Sequence, residues 1–378
     1  MTKNRAGCAV GVTGILPVPT PVTPCETTPS KPLAASQGSV ADRPMGIAKP
    51  QAAPMGIAKP QAAPMGIAKQ QAAPPASSSW KRTATRVGMR AAGVLGSWLS
   101  RAAGSRAGGR CGILTYHRIT QRIPGLPPPS HNVAPERFRR QLLGLLAAGF
   151  QVWPLRRILA AAESGETIPP RTIAVTFDDG FQSVYRRAWP ILWELKIPAT
   201  VFVCTAGLDN DEPFWFDAWG HACRDRAAPE TFRSLTTDQC RRLLDGGLME
   251  LGAHTHTHGD FRGRPEALRC DLQTCVDILR SRFDLDVIPF AFPFGSPHEG
   301  TAGEALATAA RRTGVVCGLT AECMLIDPRS DPFTWGRFNV FSWDTPATLI
   351  GKLDGWYDWA PRLRRAVARR FPEPRQER

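Results

Sequence analysis

At 378 residues the chain has room for one large domain or two ordinary ones, and its 43% hydrophobic and 21% charged residues are usual for a globular protein. The formal charge of +14 is uneven: residues 1–79 carry +5, residues 80–110 carry +7, and all the rest only +2. The positive excess therefore precedes the folded part of the chain, and the basic–aromatic interleaving of a nucleic-acid-binding face is missing, which excludes nucleic acid as the expected partner.

Residues 1–79 hold 13 of the 35 prolines and no Phe, Tyr or Trp. Such a segment buries too little apolar surface to offset its ordering entropy, so it is expected to be a disordered leader. Within it the decapeptide PMGIAKPQAA starts at 44 and 54 and returns as PMGIAKQQAA at 64. Each copy offers one Ile and one Met beside helix-breaking Pro and Gly, which fits an extended spacer better than a stacked repeat. The opening MTKNRAGCAVGVTGILPVPT is too weakly apolar and too interrupted by proline for a secretory signal. No run reaches the ~18 apolar residues of a membrane span.

In residues 80–103, Val87, Ala91, Val94, Leu95, Trp98 and Leu99 recur near helical spacing among Arg86, Arg90 and Arg101. That pattern fits a basic amphipathic helix in peripheral contact with an anionic membrane. It also fits a helix packed on the catalytic domain, or a linker loosened by Gly88, Gly93 and Gly96. The ten cysteines form no CxxC pair, so a zinc ribbon or thioredoxin-type site is not expected. Cys204 and Cys317 lie inside apolar runs and read as small buried hydrophobes. Unpatterned thiols in this number suit a reducing compartment, cytoplasmic or against the inner face of a membrane, with export the alternative.

From residue 111 the chain alternates strands and helices. Strands are predicted at Gly112–Tyr116, Thr172–Phe177, Thr200–Thr205, Met249–Ala253, Pro289–Phe292 and Val315–Leu319. Helices are predicted between them at Glu136–Ala148, Ser183–Leu195, Thr237–Leu244, Pro265–Phe283 and Gly303–Thr313, with Pro135 and Pro265 suiting first turns and Gly149 and Gly314 suiting helix ends. This order implies an α/β fold with a parallel sheet, and six or seven units suggest a barrel whose chemistry gathers at the C-terminal strand ends.

Two polar clusters fall at those ends. The strand IAVTF runs into Asp178, Asp179 and Gly180. Neighbouring side chains of a continuing strand point to opposite faces, but a turn at Gly180 lets both carboxylates face one cavity. Together without a counter-charge they would push one pKa upward, a penalty that a divalent cation removes. Alternatively, the pair caps the helix near Ser183. After the strand LMELGA come His254, His256 and His258. Residues four apart in an extended strand are separated by ~13 Å, too far for two imidazoles on one ion. If the chain turns after His254, that residue and His258 converge and His256 points elsewhere. Two imidazoles and one carboxylate leave coordination positions open, as a catalytic metal site requires.

TFDDG at 176–180 and HTHTH at 254–258 resemble the first two motifs of the polysaccharide deacetylase family, the NodB-homology or carbohydrate esterase 4 enzymes. FAFPFG at 290–295 is similar to the third motif, and LTYHRIT at 114–120 resembles a subgroup in which the last, His-bearing motif is permuted to the front. The likeness spans roughly 111–345 and implies a distorted (β/α)7-type barrel over a catalytic domain at 111–360, followed by a basic tail at 361–378. It implies further that Asp179, His254 and His258 hold a divalent metal, usually zinc, with cobalt, nickel or iron compatible with the same ligands. Asp178 would be the general base toward the attacking water, the backbone N–H of Phe294 would help stabilise the oxyanion, and His117 would protonate the departing amine.

The chain also departs from the family. An Arg that precedes the third-motif Pro by two residues in many members is Ala291 here, and Arg337 is the expected substitute for steering the base or contacting substrate. The family's Tyr in this motif is Phe294. PFWFDAWG at 213–220 gathers four aromatics, of which Trp215, with Trp335 and Trp343 further on, is a candidate sugar-stacking surface, although Phe214 and Trp219 fit a core equally well. The resemblance implies removal of N-acetyl groups from amino sugars of a glycan or glycolipid. A lipid-linked sugar deformylase or deacetylase at a membrane surface, and an inactive carbohydrate-binding relic, are the alternatives. Neither the sugar nor the oligomeric state is legible.

Overall fold

The computed structural model describes residues 104–356 together with Trp98 and Ala102. The leader with its repeats, nearly all of the basic stretch 80–103 and the tail 361–378 lie outside the described residues.

The domain is built on β1 (Gly112–Tyr116), β2 (Arg118–Ile119), β3 (Asn132–Val133), β4 (Gln151–Val152), β5 (Thr172–Phe177), β6 (Ala199–Val203), β7 (Met249–Ala253), β8 (Phe290–Ala291), β9 (Gly318–Leu319) and β10 (Phe338–Asn339). Eight of these form a curled parallel sheet, seven of them in the order β10-β1-β5-β6-β7-β8-β9 with β4 added beside β5. The N-terminal half of β5 pairs with β4 and its C-terminal end with β6, while the short β2 and β3 pair separately. Between the outer strands β9 and β10 the wall is continued by backbone bonds from Gly318 N to Pro332 O (3.2 Å), Thr320 N to Trp335 O (2.8 Å) and Arg337 N to Glu322 O (2.9 Å).

Two apolar layers result. β1, β5, β6 and β7 are buried at every position, as strands covered on both faces must be. One layer, with Ile113, Ala174, Phe202, Ala291, Cys317, Leu319 and Trp335, forms a smaller core. The larger layer packs the sheet against its helices through residues such as Phe138, Leu142, Val175, Val201, Leu251, Leu272 and Leu279.

The helices mostly run where their spacing predicts. Pro265–Phe283 has Pro at its start and buries Leu268, Leu272, Cys275, Val276 and Leu279, a 3.6-residue stripe. Thr236 and Gln239 cap the helix Thr237–Asp245 reciprocally. The predicted helix Ser183–Leu195 divides into a π-helical stretch Val184–Ala188 and an α-helix Trp189–Leu195. Pro190 cannot donate to the preceding turn and crowds its carbonyls, and the wider turn, with Trp189 N bonded to Val184 O, accommodates the ring. The strand expected at Pro289–Phe292 shortens to two residues because the prolines at 289 and 293 have no ladder donor. Helices Leu155–Ser164, Ala218–Cys223 and Pro346–Leu353 and the two-residue strands β2, β3, β4 and β10 went unread in the sequence, while the strand expected at Val315–Leu319 shortens to β9. Among the described residues no helix is long and apolar enough to cross a membrane.

Candidate metal centre and surrounding groove

β5 stops at Phe177, and the chain turns through two left-handed residues, Asp179 at φ 72° and Gly180 at φ 80°. Aspartate tolerates this region better than most side chains, and a Cβ on Gly180 would come within 3.0 Å of Val203. The turn is held by Asp178 N to Tyr116 O, Cys204 N to Asp179 O and Leu235 N to Gly180 O. Both carboxylates are buried, at 4% and 6% exposure. Neither caps the following helix, whose N-cap Ser183 makes no side-chain cap bond.

The histidine cluster follows the same logic after β7. Thr255 at φ 66° and His258 at φ 56° curl the chain, and Thr255 Oγ1 accepts from His258 N at 3.0 Å. His254 Nε2 and His258 Nε2 each lie 3.5 Å from Asp179 Oδ1. All three donor atoms fall within 4.8 Å of one another on buried side chains. Tetrahedral donors ~2.0–2.1 Å from a zinc ion stand ~3.4 Å apart, so the donor set has the right chemistry and size for one divalent cation. His254 Nδ1 donates to Ala291 O at 2.8 Å, which fixes its tautomer and leaves Nε2 as the lone pair facing Asp179. Ala291, at the position of the absent third-motif Arg, thus contributes its carbonyl. His256 points away, its Nδ1 2.9 Å from Thr205 Oγ1.

Asp178 faces a different partner. Arg337 Nη1 and Nη2 donate to its two oxygens at 2.6 and 2.8 Å, and Arg337 Nε donates to Thr320 O at 3.1 Å. The guanidinium is 1% exposed, with both arms engaged by the carboxylate. This corrects the substrate-contact expectation for Arg337: the side chain addresses Asp178, from a position just ahead of β10. Trp335 is corrected too. It is 1% exposed in the inner core, donating from Nε1 to Ser330, and cannot wall a groove.

The electrostatics of the site follow from burial opposed by charge. Burial raises the Asp178 carboxyl, but Arg337, with His254 and His117, outweighs it and holds the group below its ordinary value. Burial likewise raises Asp179, and the hydrogen bond to His254 and the nearby His117 and His258 bring it well below the carboxylate range. Burial lowers the His254 imidazole, yet Asp178 and Asp179 raise it overall. His258 is lowered to about 4, chiefly by burial.

His117 follows β1 and stacks on His131, ring centroids 4.7 Å apart. Burial lowers it to about 4, with His131 and Arg337 adding to the effect and the two aspartates opposing it. Phe294 has a left-handed φ of 61°, is 50% exposed, and sets its ring edge-on to His258 at 5.0 Å. Among the described residues its N–H has no backbone acceptor. Trp215, 62% exposed, donates from Nε1 to Thr257 O at 2.7 Å.

Three participants escaped sequence reasoning. Phe216 stacks on His258 at 4.0 Å. Asp271 accepts from His256 N (2.6 Å), Thr257 N (3.1 Å) and Thr257 Oγ1 (2.6 Å), clamping the histidine turn. His131 backs His117. Only Asp271 left a signal: an acid at the i+3 position between Leu268 and Cys275, inside the apolar stripe of its helix.

Comparison with known proteins agrees with this arrangement. Residues 165–316 match the family described as Polysaccharide deacetylase. They form a polysaccharide deacetylase domain. A poly-beta-1,6-N-acetyl-D-glucosamine N-deacetylase of Staphylococcus epidermidis is 22% identical over 262 residues, covering 64% of this chain and 83% of the relative. The Staphylococcus aureus (strain MRSA252) protein of that name is 22% identical over 241 residues, 61% of this chain and 74% of its own length. Among solved structures, IcaB from Ammonifex degensii (24% identity, TM-score 0.53) covers 64% of this chain and 97% of its own. The Streptococcus pyogenes deacetylase PplD in complex with acetate (20% identity, TM-score 0.53) covers 65% and 98%. These likenesses establish the fold of the deacetylase domain. LTYHRIT at 114–120 precedes the matched family segment, but β1 is an integral strand, paired in parallel with β5 and β10.

Proposed function

We propose that this deacetylase domain hydrolyses N-acetyl groups from N-acetylglucosamine units of a polysaccharide, with a divalent cation, zinc first among the candidates, held by Asp179, His254 and His258. The observation that carries the reading is the convergence of those three donors beside a second aspartate held in place by an arginine. When bound, the cation supplies Lewis acidity, which acidifies the attacking water and polarises the amide carbonyl. Asp178, kept ionised and oriented by Arg337, takes a proton from the water as its oxygen bonds to the carbonyl carbon. The N–H of Phe294, on a strained turn at the rim, donates to the developing oxyanion. As the C–N bond breaks, His117 delivers a proton to nitrogen, leaving acetate and a free amine. His117 is charged for that step by the proton that Asp178 took from the water, since burial lowers the imidazole to about 4 and the two aspartates oppose this only in part. That transfer leaves Asp178 ionised and His117 neutral again once nitrogen has its proton, so the cycle closes. Trp215 offers an exposed indole face beside the centre for a sugar ring.

The staphylococcal relatives' name motivates β-1,6-linked N-acetylglucosamine oligomers as the first substrates. The intact triad favours an enzyme over a carbohydrate-binding relic. The decisive experiment measures acetate release from β-1,6- and β-1,4-linked oligomers, with and without chelator, alongside metal content. Release that chelator abolishes and added zinc restores is expected. Full release from metal-free protein would remove the cation from the reading, and no release from any oligomer would remove the substrate class.

A further inference from the structure

The two imidazoles of the proposed cation site are supported differently. His254 is fixed by a hydrogen bond from Nδ1 to Ala291 O, whereas His258 Nδ1 is buried with no hydrogen-bond partner among the described residues. Metal-bound histidines ordinarily have their second nitrogen tethered. The His258 ring is oriented instead by packing: Phe216 lies nearly parallel to it at 4.0 Å and 26°, and Phe294 meets it edge-on at 5.0 Å and 66°.

Phe216 is itself held. It stacks on Phe214 at 5.2 Å, and Trp215 abuts its edge at 5.6 Å. The next residue, Asp217, lies 2.7 Å from Arg118 in a buried ion pair, and the Arg118 guanidinium sits 4.1 Å over the Phe181 ring. The same short loop makes a second joint to the histidine turn through the 2.7 Å bond from the Trp215 indole to Thr257 O. Thr257 is gripped from the far side by Asp271. The loop 214–216 therefore touches the ligand turn twice, and presents its most exposed ring, Trp215, to solvent.

We propose that Trp215 and Phe216 are positioning residues for the His258 ligand, and that a glycan stacked on Trp215 tightens cation binding through this loop. A sugar ring lying on the indole restricts its motion, and the restriction passes through the indole N–H to the turn and through Phe216 to the imidazole. Linkage makes the effect reciprocal: the cation must tighten glycan binding by the same factor. The inference rests on the proposed cation site.

The test is metal affinity in the full-length protein, measured by chelator competition with zinc, with and without a glucosamine oligomer that carries no acetyl group to lose. Wild type is expected to bind zinc several-fold more tightly with the oligomer present. Trp215→Phe keeps an aromatic face but deletes the indole donor. Phe216→Leu keeps bulk but deletes the stack. Each is expected to weaken zinc binding by ~10-fold or more, the scale of lost support around a ligand, and to abolish the oligomer effect. Oligomer affinity of the metal-free Trp215→Phe protein should stay close to wild type, which separates positioning from loss of the sugar platform. Wild-type zinc affinity in both variants would overturn the proposal, as would wild-type zinc affinity indifferent to the oligomer. A wild-type protein that binds no zinc would instead bring down the cation site on which the proposal stands.

Discussion

Asp178 and Asp179 are sequence neighbours with opposite surroundings. Asp179 faces two imidazoles and no arginine, while Asp178 is bound at both oxygens by Arg337. The division of labour proposed for them follows from this difference, and two substitutions test it. Asp178→Asn is expected to retain stoichiometric metal while losing ~10²–10⁴-fold in acetate release, because a base is removed and no ligand is. Metal content and turnover are measured on the same sample, and an active variant would strip Asp178 of its role. Arg337→Gln acts on the base indirectly. With Arg337 present the carboxyl is held below its ordinary value, so Asp178 is ionised even in mildly acidic solution. Without it, burial dominates and raises the pKa, so the acid limb of the kcat/KM profile should move to higher pH by ~1–3 units. A limb that stays in place would show that Asp178 does not set it. Which histidines would pair was readable only on condition of a turn. Backbone at Thr255 and His258 supplies it, and the Asp271 clamp that stabilises it comes from a helix about fifteen residues downstream, beyond any local pattern.

Strands and helices differed in legibility for a physical reason. β5 and β7 and the helix Pro265–Phe283 run between the predicted end residues because each buries a full apolar run or stripe. Two-residue strands such as β3, β4 and β10 exist only through their neighbours' hydrogen bonds, and nothing in two residues carries a period. β7 is also where close packing is most exacting. A Cβ added at Gly252 would lie 2.6 Å from Phe202 Cδ1 and 2.8 Å from Pro289 O. Gly252→Ala should therefore cost ~1–3 kcal/mol through overpacking, read as a lower denaturant midpoint with an unchanged slope. Because the strand delivers His254, the same variant should bind zinc less tightly. An unchanged midpoint would mean that β6 and β8 yield more readily than their packing suggests.

Among the described residues, the candidate metal centre and both apolar layers are built by residues 104–356. The last described helix, Pro346–Leu353, is tied to the rest by the buried Lys352–Asp344 pair at 2.9 Å and by Gln141 donating to Asp344 O at 2.8 Å. The leader, with no Phe, Tyr or Trp, has little apolar surface to add to a core. A chain lacking residues 1–79 is accordingly expected to keep the acetate release and thermal midpoint of the full chain. A drop in either would give the repeat-bearing leader a part in folding or catalysis. The buried thiols have no catalytic part in this scheme: burial pushes Cys275 and Cys317 up to about 12, which makes them inert at neutral pH.

Local chemistry written along the chain was enough to specify the alternation of strands and helices, the parallel barrel, the paired aspartates and the clustered histidines, since period, turn residues and motif spacing are properties of neighbours. Three-dimensional packing alone assigned Phe216 to His258, Asp271 to the histidine turn and Trp335 to the interior, and it decided that Arg337, read as steering the base or contacting substrate, reaches Asp178 across some 160 positions. Those assignments depend on which surfaces meet when the sheet curls. A side chain's type constrains what it can bind, but only closure of the barrel determines what stands within its reach.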